Sequence, residues 1–232
     1  MSPDRVHRSV KTGLIALAAF AALPACDVED DGVVEELSLR VTVTNESMPG
    51  MLGGVDVGLS PGVWAVHREP GAFFEVGEPA SPELETLAED GDGQALVQAF
   101  GNDDAVPRLG LYGVTEVGVS YEDGPIGPGA SATVDIIAMS DEYLTLVSMF
   151  GQSNDVFVAV DSFPLAELED PRVVMLDAGT EVNEEPGRGD NQPGTQSEPG
   201  AGEPEDGVIA PPDDGFDYPD VGAIVSVTVE RL

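Results

Sequence analysis

The chain has 232 residues, of which 44 are Asp or Glu and only 9 are Lys or Arg, giving a formal net charge of −35 at pH 7. An electrostatic field of this sign repels phosphate groups, so the composition argues against nucleic acid and anionic lipid head groups as partners. The single cysteine excludes a disulfide within the chain, and 41% apolar residues are enough for one domain with a hydrophobic core.

The first 26 residues are typical of a targeting segment. A basic start precedes an apolar run at 13–23, which has the length of a signal-peptide core and is too short to span a bilayer. Residues 23–26 resemble the cleavage box of a bacterial lipoprotein and predict lipidation of Cys26; ordinary secretion, with Cys26 as an incidental thiol, is the alternative. We therefore expect the mature protein in the bacterial cell envelope, attached to the membrane through a lipid anchor only. Whether that membrane is the inner or the outer one, and which side the domain faces, stays open.

The elements that follow begin with an acidic stretch. Residues 27–36 predict a solvated tether, and residues 37–232 form the expected domain. Apolar and polar residues alternate over 37–44, which is typical of a half-buried strand, and a short strand is expected at 63–67. Ser81 before Pro82 predicts the start of a helix that Gly91 ends, with a second short helix through Phe100.

Strand signals dominate the rest of the chain. Turn residues separate apolar or alternating runs at 110–121, 132–139, 143–150, 156–160, 172–176 and 222–230. About eight strands at this spacing predict a mainly β chain folded as an antiparallel β-sandwich with one or two short helices. Because strands lie near both ends of the domain, we expect the first and the last to pair or to be neighbours.

One segment lacks such signals. Residues 178–220 contain 7 Pro and 8 Gly, and 12 acidic residues lie between 181 and 220. This composition predicts a long acidic loop, flexible over roughly 184–205. The loop could fold over the turn from which it leaves and contribute Asp213, Asp214 or Asp217 to a site there. The alternative is that it only increases solubility.

Three carboxylates lie where predicted strands meet turns. Asp155 precedes the apolar run 156–160, Asp177 closes the run 173–176, and Glu181 follows four residues later. Such residues often only cap turns through backbone N–H groups, but together they could also form an oxygen-rich pocket at a sheet edge. Calcium prefers that kind of site because it takes six to eight oxygen ligands in irregular geometry. Zinc fits less well, since it prefers His or Cys, and only His67 and Cys26 remain beyond the signal core.

These stretches also carry a family resemblance that runs from about residue 36 to 232. Ser-Met-Phe-x-x-Ser-Asn-Asp-x-Phe at 148–157 and Asp-Ala-Gly-Thr-Glu-x-Asn at 177–183 resemble the bacterial form of the spondin domain, as do 61–67, 84–92 and 124–129. The resemblance implies a sandwich similar to a C2 domain, with calcium bound by Asp155, Asp177 and Glu181. It also implies a role in adhesion. The chain departs from the family pattern at Val156, where Trp is usual, and at Glu181, where Asp is usual.

The sequence therefore predicts an envelope-anchored, calcium-binding module for adhesion or ligand binding, and not an enzyme. Its ligand in the envelope or outside the cell is not named by any motif. One alternative is a purely structural metal, with the acidic loop as the functional part. The other is a hydrolase that uses His67, although no Gly-x-Ser-x-Gly nucleophile motif accompanies it.

Overall fold

The computed structural model describes residues 33–113, 125–167 and 170–232. The predicted signal segment, Cys26, most of the tether and the end of the predicted strand at 110–121 lie outside these ranges. Residues 34–232 form one unit. None of the helices in the described ranges is long and apolar enough to cross a membrane.

The first sheet has three strands, with the first strand of the domain at its centre. Strand β1 (Glu36–Asn45) pairs antiparallel with β4 (Ser131–Met139) on one side and with β8 (Val225–Arg231) on the other. Every second residue of the first half of β1 is buried, as the alternating sequence predicts. The pairing of β1 with β8 confirms that the first and last strands of the domain are neighbours.

The second sheet has five antiparallel strands, which are β2 (Gly62–His67), β3 (Arg108–Tyr112), β5 (Tyr143–Met149), β6 (Val156–Pro164) and β7 (Val174–Asp177). Their order in the sheet is β3-β2-β5-β6-β7. Strands β5 and β6 are buried on both faces, which explains their continuous apolar runs. One face meets the three-stranded sheet, and two helices cover the other.

The two faces of this sheet define two hydrophobic cores. The core between the sheets contains residues such as Leu39, Phe150 and Val227, so the predicted antiparallel β-sandwich is confirmed. The second core lies under helices α1 (Pro82–Asp90) and α2 (Gln94–Phe100). The predicted caps of α1 are present: the Ser81 side chain accepts from the Leu84 N–H at 3.2 Å, and Gly91 ends the helix at φ 67°.

The acidic segment 178–220 has no regular strand or helix, but contacts with the sandwich fix its path. The Gly187 N–H donates to the Gln152 carbonyl at 2.8 Å, and the Gln196 side chain donates to Asp90 at 3.1 Å. The chain then returns alongside its own beginning, with bridges between Glu181 and Pro204 and between Asp177 and Ala210. These anchors were not expected for a flexible loop, because the sequence shows only its Gly, Pro and acidic composition.

Candidate metal centre

The register of β6 and β7 brings two of the predicted site residues together. Val156 at the start of β6 pairs with Asp177 at the end of β7. Asp155, which directly precedes β6, therefore lies at the same end of the sheet as Asp177. The Ala178 N–H donates to the Asp155 carbonyl at 3.1 Å, which continues the contact beyond the ladder.

A short turn closed by backbone and side-chain hydrogen bonds presents Asp155. The Phe150 N–H donates to the Val156 carbonyl at 2.9 Å and closes the turn between β5 and β6. Inside it, the Ser153 hydroxyl accepts from the Val156 N–H at 3.0 Å and donates to the Phe150 carbonyl at 2.7 Å. The amide of Asn154 bonds the backbone of Val182 and Glu184, so the turn is also attached to the acidic segment.

The two carboxylate oxygens of Asp155 have different surroundings. The residue is fully buried, and its Oδ2 accepts from the backbone N–H groups of Thr180 and Glu181, each at 3.0 Å. Its Oδ1 is buried and has no hydrogen-bond partner among the described residues. A buried polar atom without a partner costs on the order of 1–3 kcal/mol, and more when it is charged. A proton or a cation at Oδ1 would give this oxygen a partner.

Asp177 is held by a tight turn that only glycine permits. Its Oδ1 accepts from the Gly179 N–H at 2.6 Å, and its Oδ2 accepts from the side-chain amide of Asn183. Gly179 has φ 68°, and a Cβ there would lie 2.7 Å from the backbone nitrogen of Val208. The glycine thus fixes the turn and also allows the returning chain to pass close to it.

The electrostatics of the pair favour a bound positive charge. Burial, and next the charge of Asp177, raise the pKa of Asp155 to about 7, although two backbone N–H groups act in the opposite direction. Four ion pairs occur in the described parts of the chain, and none of them involves Asp155 or Asp177. The negative charge at the centre therefore has no compensating side chain among the described residues.

Glu181, the third predicted ligand, contributes differently. Its backbone N–H bonds Asp155, but its buried side chain accepts from the Gly202 N–H at 2.7 Å. Burial raises the pKa of this carboxyl, and the Glu181 charge helps to raise the pKa of Glu89, for which burial is the first cause. In the described ranges, no three side chains of His, Cys, Asp or Glu converge as a ready set of metal ligands. The structure thus brings Asp155 and Asp177 together and directs the Glu181 carboxylate to the returning loop.

Two residues with neutral oxygen atoms that could bind a metal lie beside Asp155 and Asp177, and sequence reasoning missed both. Asn183 bonds Asp177, and the Tyr218 hydroxyl contacts the Asn183 Oδ1 at 3.4 Å and donates to the Asp214 carboxylate at 2.8 Å. Burial raises the pKa of Tyr218, and the charges of Asp214, Asp177 and Asp155 add to this effect. Asn183 was visible only as the last residue of the resemblance motif, and no local signal marks Tyr218. Asp214 is one of the loop acids that the sequence offered.

Asp177, Asn183 and Asp214 border an open cavity of about 500 Å³. Four of its lining residues are acidic: Asp177, Glu205, Asp213 and Asp214. Asn183 and Phe216 also belong to the lining. The loop therefore supplies part of the surroundings of the centre, as one interpretation of its sequence expected. Asp217, the third acid offered by the sequence, is not part of the lining.

His67 has structural contacts on both ring nitrogens. Its Nδ1 lies 2.7 Å from the Glu69 carbonyl, which requires a proton on that nitrogen, and its Nε2 lies 2.9 Å from the Thr145 hydroxyl. Burial lowers the pKa of His67, and the ring stacks on Tyr143. These contacts favour a structural role for this histidine over that of a general base.

The sequence matches no known protein-family model, and no curated protein sequence is similar enough to count as a relative. The spondin resemblance therefore stays a prediction from motifs.

Proposed function

We propose that this chain is a calcium-binding, spondin-like module of the bacterial cell envelope that serves adhesion or ligand binding. The observation that carries the proposal is the Asp155 Oδ1, a buried carboxylate oxygen that finds no hydrogen-bond partner in the described parts of the chain, beside the second carboxylate of Asp177. A divalent cation would give this oxygen a partner and neutralise both charges.

The donor atoms favour calcium over other divalent ions. Asp155 and Asp177 would hold the ion, and the Asn183 amide and the Tyr218 hydroxyl offer neutral oxygens nearby. Calcium accepts such irregular oxygen sets, whereas magnesium demands near-ideal octahedral geometry. Zinc prefers nitrogen and sulfur donors, and the ring nitrogens of His67 are already engaged.

Calcium at this position would stabilise the edge loops. Asp155 accepts from Thr180 and Glu181, and the Val182 N–H of the same stretch donates to the Glu203 carbonyl of the returning chain at 2.7 Å. An ion between Asp155 and Asp177 would thus connect the β5–β6 turn with the start of the acidic segment and with its returning part. Those loops form the surface through which the module would bind its ligand.

A purely structural metal, with the acidic loop as the functional part, is the alternative. The anchored path of residues 178–220 favours it, because a loop held by Asp90 and Gln152 is ordered enough to present a surface of its own. The two proposals share the calcium site and differ in whether removing calcium releases the ligand.

Equilibrium dialysis with radioactive calcium on residues 27–232 tests the site. The wild-type protein should bind one ion that an excess of magnesium does not displace. Asp155→Asn and Asp177→Asn should abolish this binding, whereas Asp141→Asn, at an exposed turn, should not. Equal binding by all four proteins would mean that the ion only screens the net charge, and the site would be withdrawn.

Glu181→Gln tests the third ligand implied by the resemblance. Glutamine keeps an oxygen that can accept from the Gly202 N–H. A loss of calcium affinity as large as that of Asp177→Asn would make Glu181 a direct ligand. A much smaller loss would assign it to holding the loop, which its position in this structure favours.

The envelope location rests on the Cys26 motif and has its own test. Metabolic labelling with a radioactive fatty acid should mark the wild-type protein and not Cys26→Ser. Equal labelling of both, or of neither, would contradict lipidation at this residue.

A further inference from the structure

Strand β7 is the last strand of the five-stranded sheet, so one of its edges, here called the outer edge, is not paired with another strand of that sheet. Asp177 and Ala210 exchange both backbone hydrogen bonds across this edge, at 2.8 and 3.1 Å. Backbone groups alternate in direction along a strand. The N–H and C=O of Met175 therefore point to the same outer side as those of Asp177. Val173 directly precedes β7. The side chains of Val173 and Met175 pack on one core and that of Val174 on the other, so the alternation extends to Val173.

The chain that pairs with Asp177 cannot continue along this edge. Ala210 is followed by Pro211 and Pro212, and Pro212 would be the residue opposite Met175. Proline has no N–H to donate, so it ends a ladder. Outside the β6–β7 ladder, Met175 and Val173 make no backbone hydrogen bond to another described residue. The edge is thus open along this part of the strand.

A largely apolar groove of about 470 Å³ runs beside this open edge. Its apolar lining includes Val76, Val173, Met175 and Val221, all of them partly exposed, and it also contains Asp161 and Arg172. Pro211 belongs both to this groove and to the acidic cavity beside Asp177. The groove and the cavity therefore adjoin at one end of β7.

We propose that the outer edge of β7 is a docking site for a cationic, extended peptide segment of another protein, which adds to the sheet as a strand. Alternate backbone groups of the segment would bond Val173 and Met175. Its apolar side chains would fill the groove, and a Lys or Arg at its end would reach the acidic cavity. Peptide recognition by strand addition generally uses an exposed edge strand with pockets for the side chains of the peptide.

Charge selects this occupant over a second copy of the chain. Two copies would each bring a formal charge of −35, so their association at this edge is opposed by repulsion. A cationic segment is attracted by the same field and meets Glu205, Asp213 and Asp214 in the adjoining cavity. Because the contacts with β7 are backbone hydrogen bonds, the inference does not depend on calcium.

Binding of short synthetic peptides tests the proposal. A fluorescent peptide of alternating Lys and Val, six residues long, is titrated into residues 27–232 in the presence of EDTA. The matching peptide of alternating Glu and Val should bind at least about tenfold more weakly. The main control is a pair of N-methylated Lys-Val peptides, one methylated on the odd-numbered amides and the other on the even-numbered amides. In a bound strand only one of these two sets faces β7, so only one of the two methylated peptides should lose binding. Equal binding by both forms, or no binding of the parent peptide at about 1 mM, overturns the proposal.

The edge can also be examined in the protein itself. Amide hydrogen exchange should be faster at Val173 and Met175 than at Val174 and Leu176, and the Lys-Val peptide should slow the exchange of the first pair. Met175→Pro should reduce peptide binding at least about tenfold, since it removes the edge donor, while an unchanged circular-dichroism spectrum and a cooperative thermal melt in EDTA show that the variant is folded. Unchanged exchange at Val173 and Met175 on peptide binding contradicts the proposal. So does a dimer in sedimentation experiments that Met175→Pro dissociates, because the occupant is then a second copy.

Discussion

Asp155 and Asp177 lie side by side at one end of the five-stranded sheet, because Val156 pairs with Asp177 across β6 and β7. One oxygen of the buried Asp155 carboxylate accepts hydrogen bonds from two backbone N–H groups, and the other accepts none from any residue that the structure describes. This asymmetry turns a pair of strand-end carboxylates into a candidate cation site. If both oxygens were satisfied by the turn, Asp155 would need nothing further.

The first prediction concerns Asp155→Asn with and without calcium. Asparagine keeps an oxygen for the Thr180 and Glu181 N–H groups and removes the uncompensated charge. Without calcium, the variant should be more stable than the wild-type protein above neutral pH, by about 1–3 kcal/mol. With calcium the order should reverse, because only the wild-type protein binds the ion. Urea titrations in EDTA and in calcium measure both free energies of unfolding, and a variant that is less stable in both solutions contradicts the account.

The pH dependence of the metal-free protein gives a second prediction. Burial first, and then neighbouring negative charge, raise the pKa values of both Asp155 and Glu89 to about 7. Between the ordinary carboxyl pKa values of about 4 and 7, the folded state therefore binds more protons than the unfolded state. Its free energy of unfolding should fall as the pH rises through this window.

Matched variants distinguish the titration of Asp155 and Glu89 from the effect of general charge repulsion on the stability of an acidic chain. Asp155→Asn and Glu89→Gln should each flatten the fall in stability between pH 4 and 7, whereas Asp141→Asn, at an exposed position, should leave the slope nearly as in the wild-type protein. Denaturant titrations at several pH values provide the slopes. Slopes that are equal for all three variants would assign the pH dependence to the net charge alone.

A third prediction concerns the turn after Asp177. Gly179→Ala places a Cβ at φ 68° and within 3 Å of the backbone of Gly207 and Val208. Backbone strain costs about 1–2 kcal/mol, and displacement of the returning chain at Gly207 and Val208 adds to it. The loss should therefore exceed about 2 kcal/mol, and calcium binding should weaken. Gly129→Ala is the matched control, since Gly129 has φ 74° and a Cβ added there would meet no atom within 4 Å. The control should lose only the strain energy, and equal losses in thermal melts would show that the close approach is unimportant.

The fourth prediction concerns His67. His67→Ala removes contacts with the Glu69 carbonyl and the Thr145 hydroxyl in a buried position. The free energy of unfolding should fall by about 2–4 kcal/mol, while calcium binding to the folded protein stays unchanged. A hydrolytic activity of the wild-type protein on ester or glycoside substrates that this variant loses would instead support the enzyme alternative.

Local patterns in the sequence predicted much of the fold. The alternation over 37–44 marks β1, and Ser81, Pro82 and Gly91 mark the ends of α1, because these signals depend on neighbouring residues alone. The same holds for the position of Asp155 and Asp177 at strand ends. Their adjacency could be expected once β6 and β7 were taken as an antiparallel pair.

The surroundings of the centre depend on contacts between distant residues, and local patterns do not contain them. The Glu181 carboxylate is directed by Gly202, and Tyr218 reaches Asn183 from 35 positions further along the chain. Likewise, the acidic segment has the composition of a flexible loop, but Gln152 and Asp90 fix its path from elsewhere in the sandwich. Side-chain direction and loop anchoring become visible only when the whole chain is folded.

Thermal melts test most directly the claim that Asp155 and Asp177 hold a calcium ion. Residues 27–232 are melted in calcium and in magnesium, and the double variant Asp155→Asn/Asp177→Asn is melted in calcium. At about a hundredfold excess over Kd, one bound ion adds about 2.7 kcal/mol, which is a rise in Tm of roughly 5–11 °C for a domain of this size. The account predicts a rise with calcium that magnesium does not reproduce and that the double variant loses. An equal rise with magnesium, or one that persists in the double variant, would contradict a calcium site at Asp155 and Asp177.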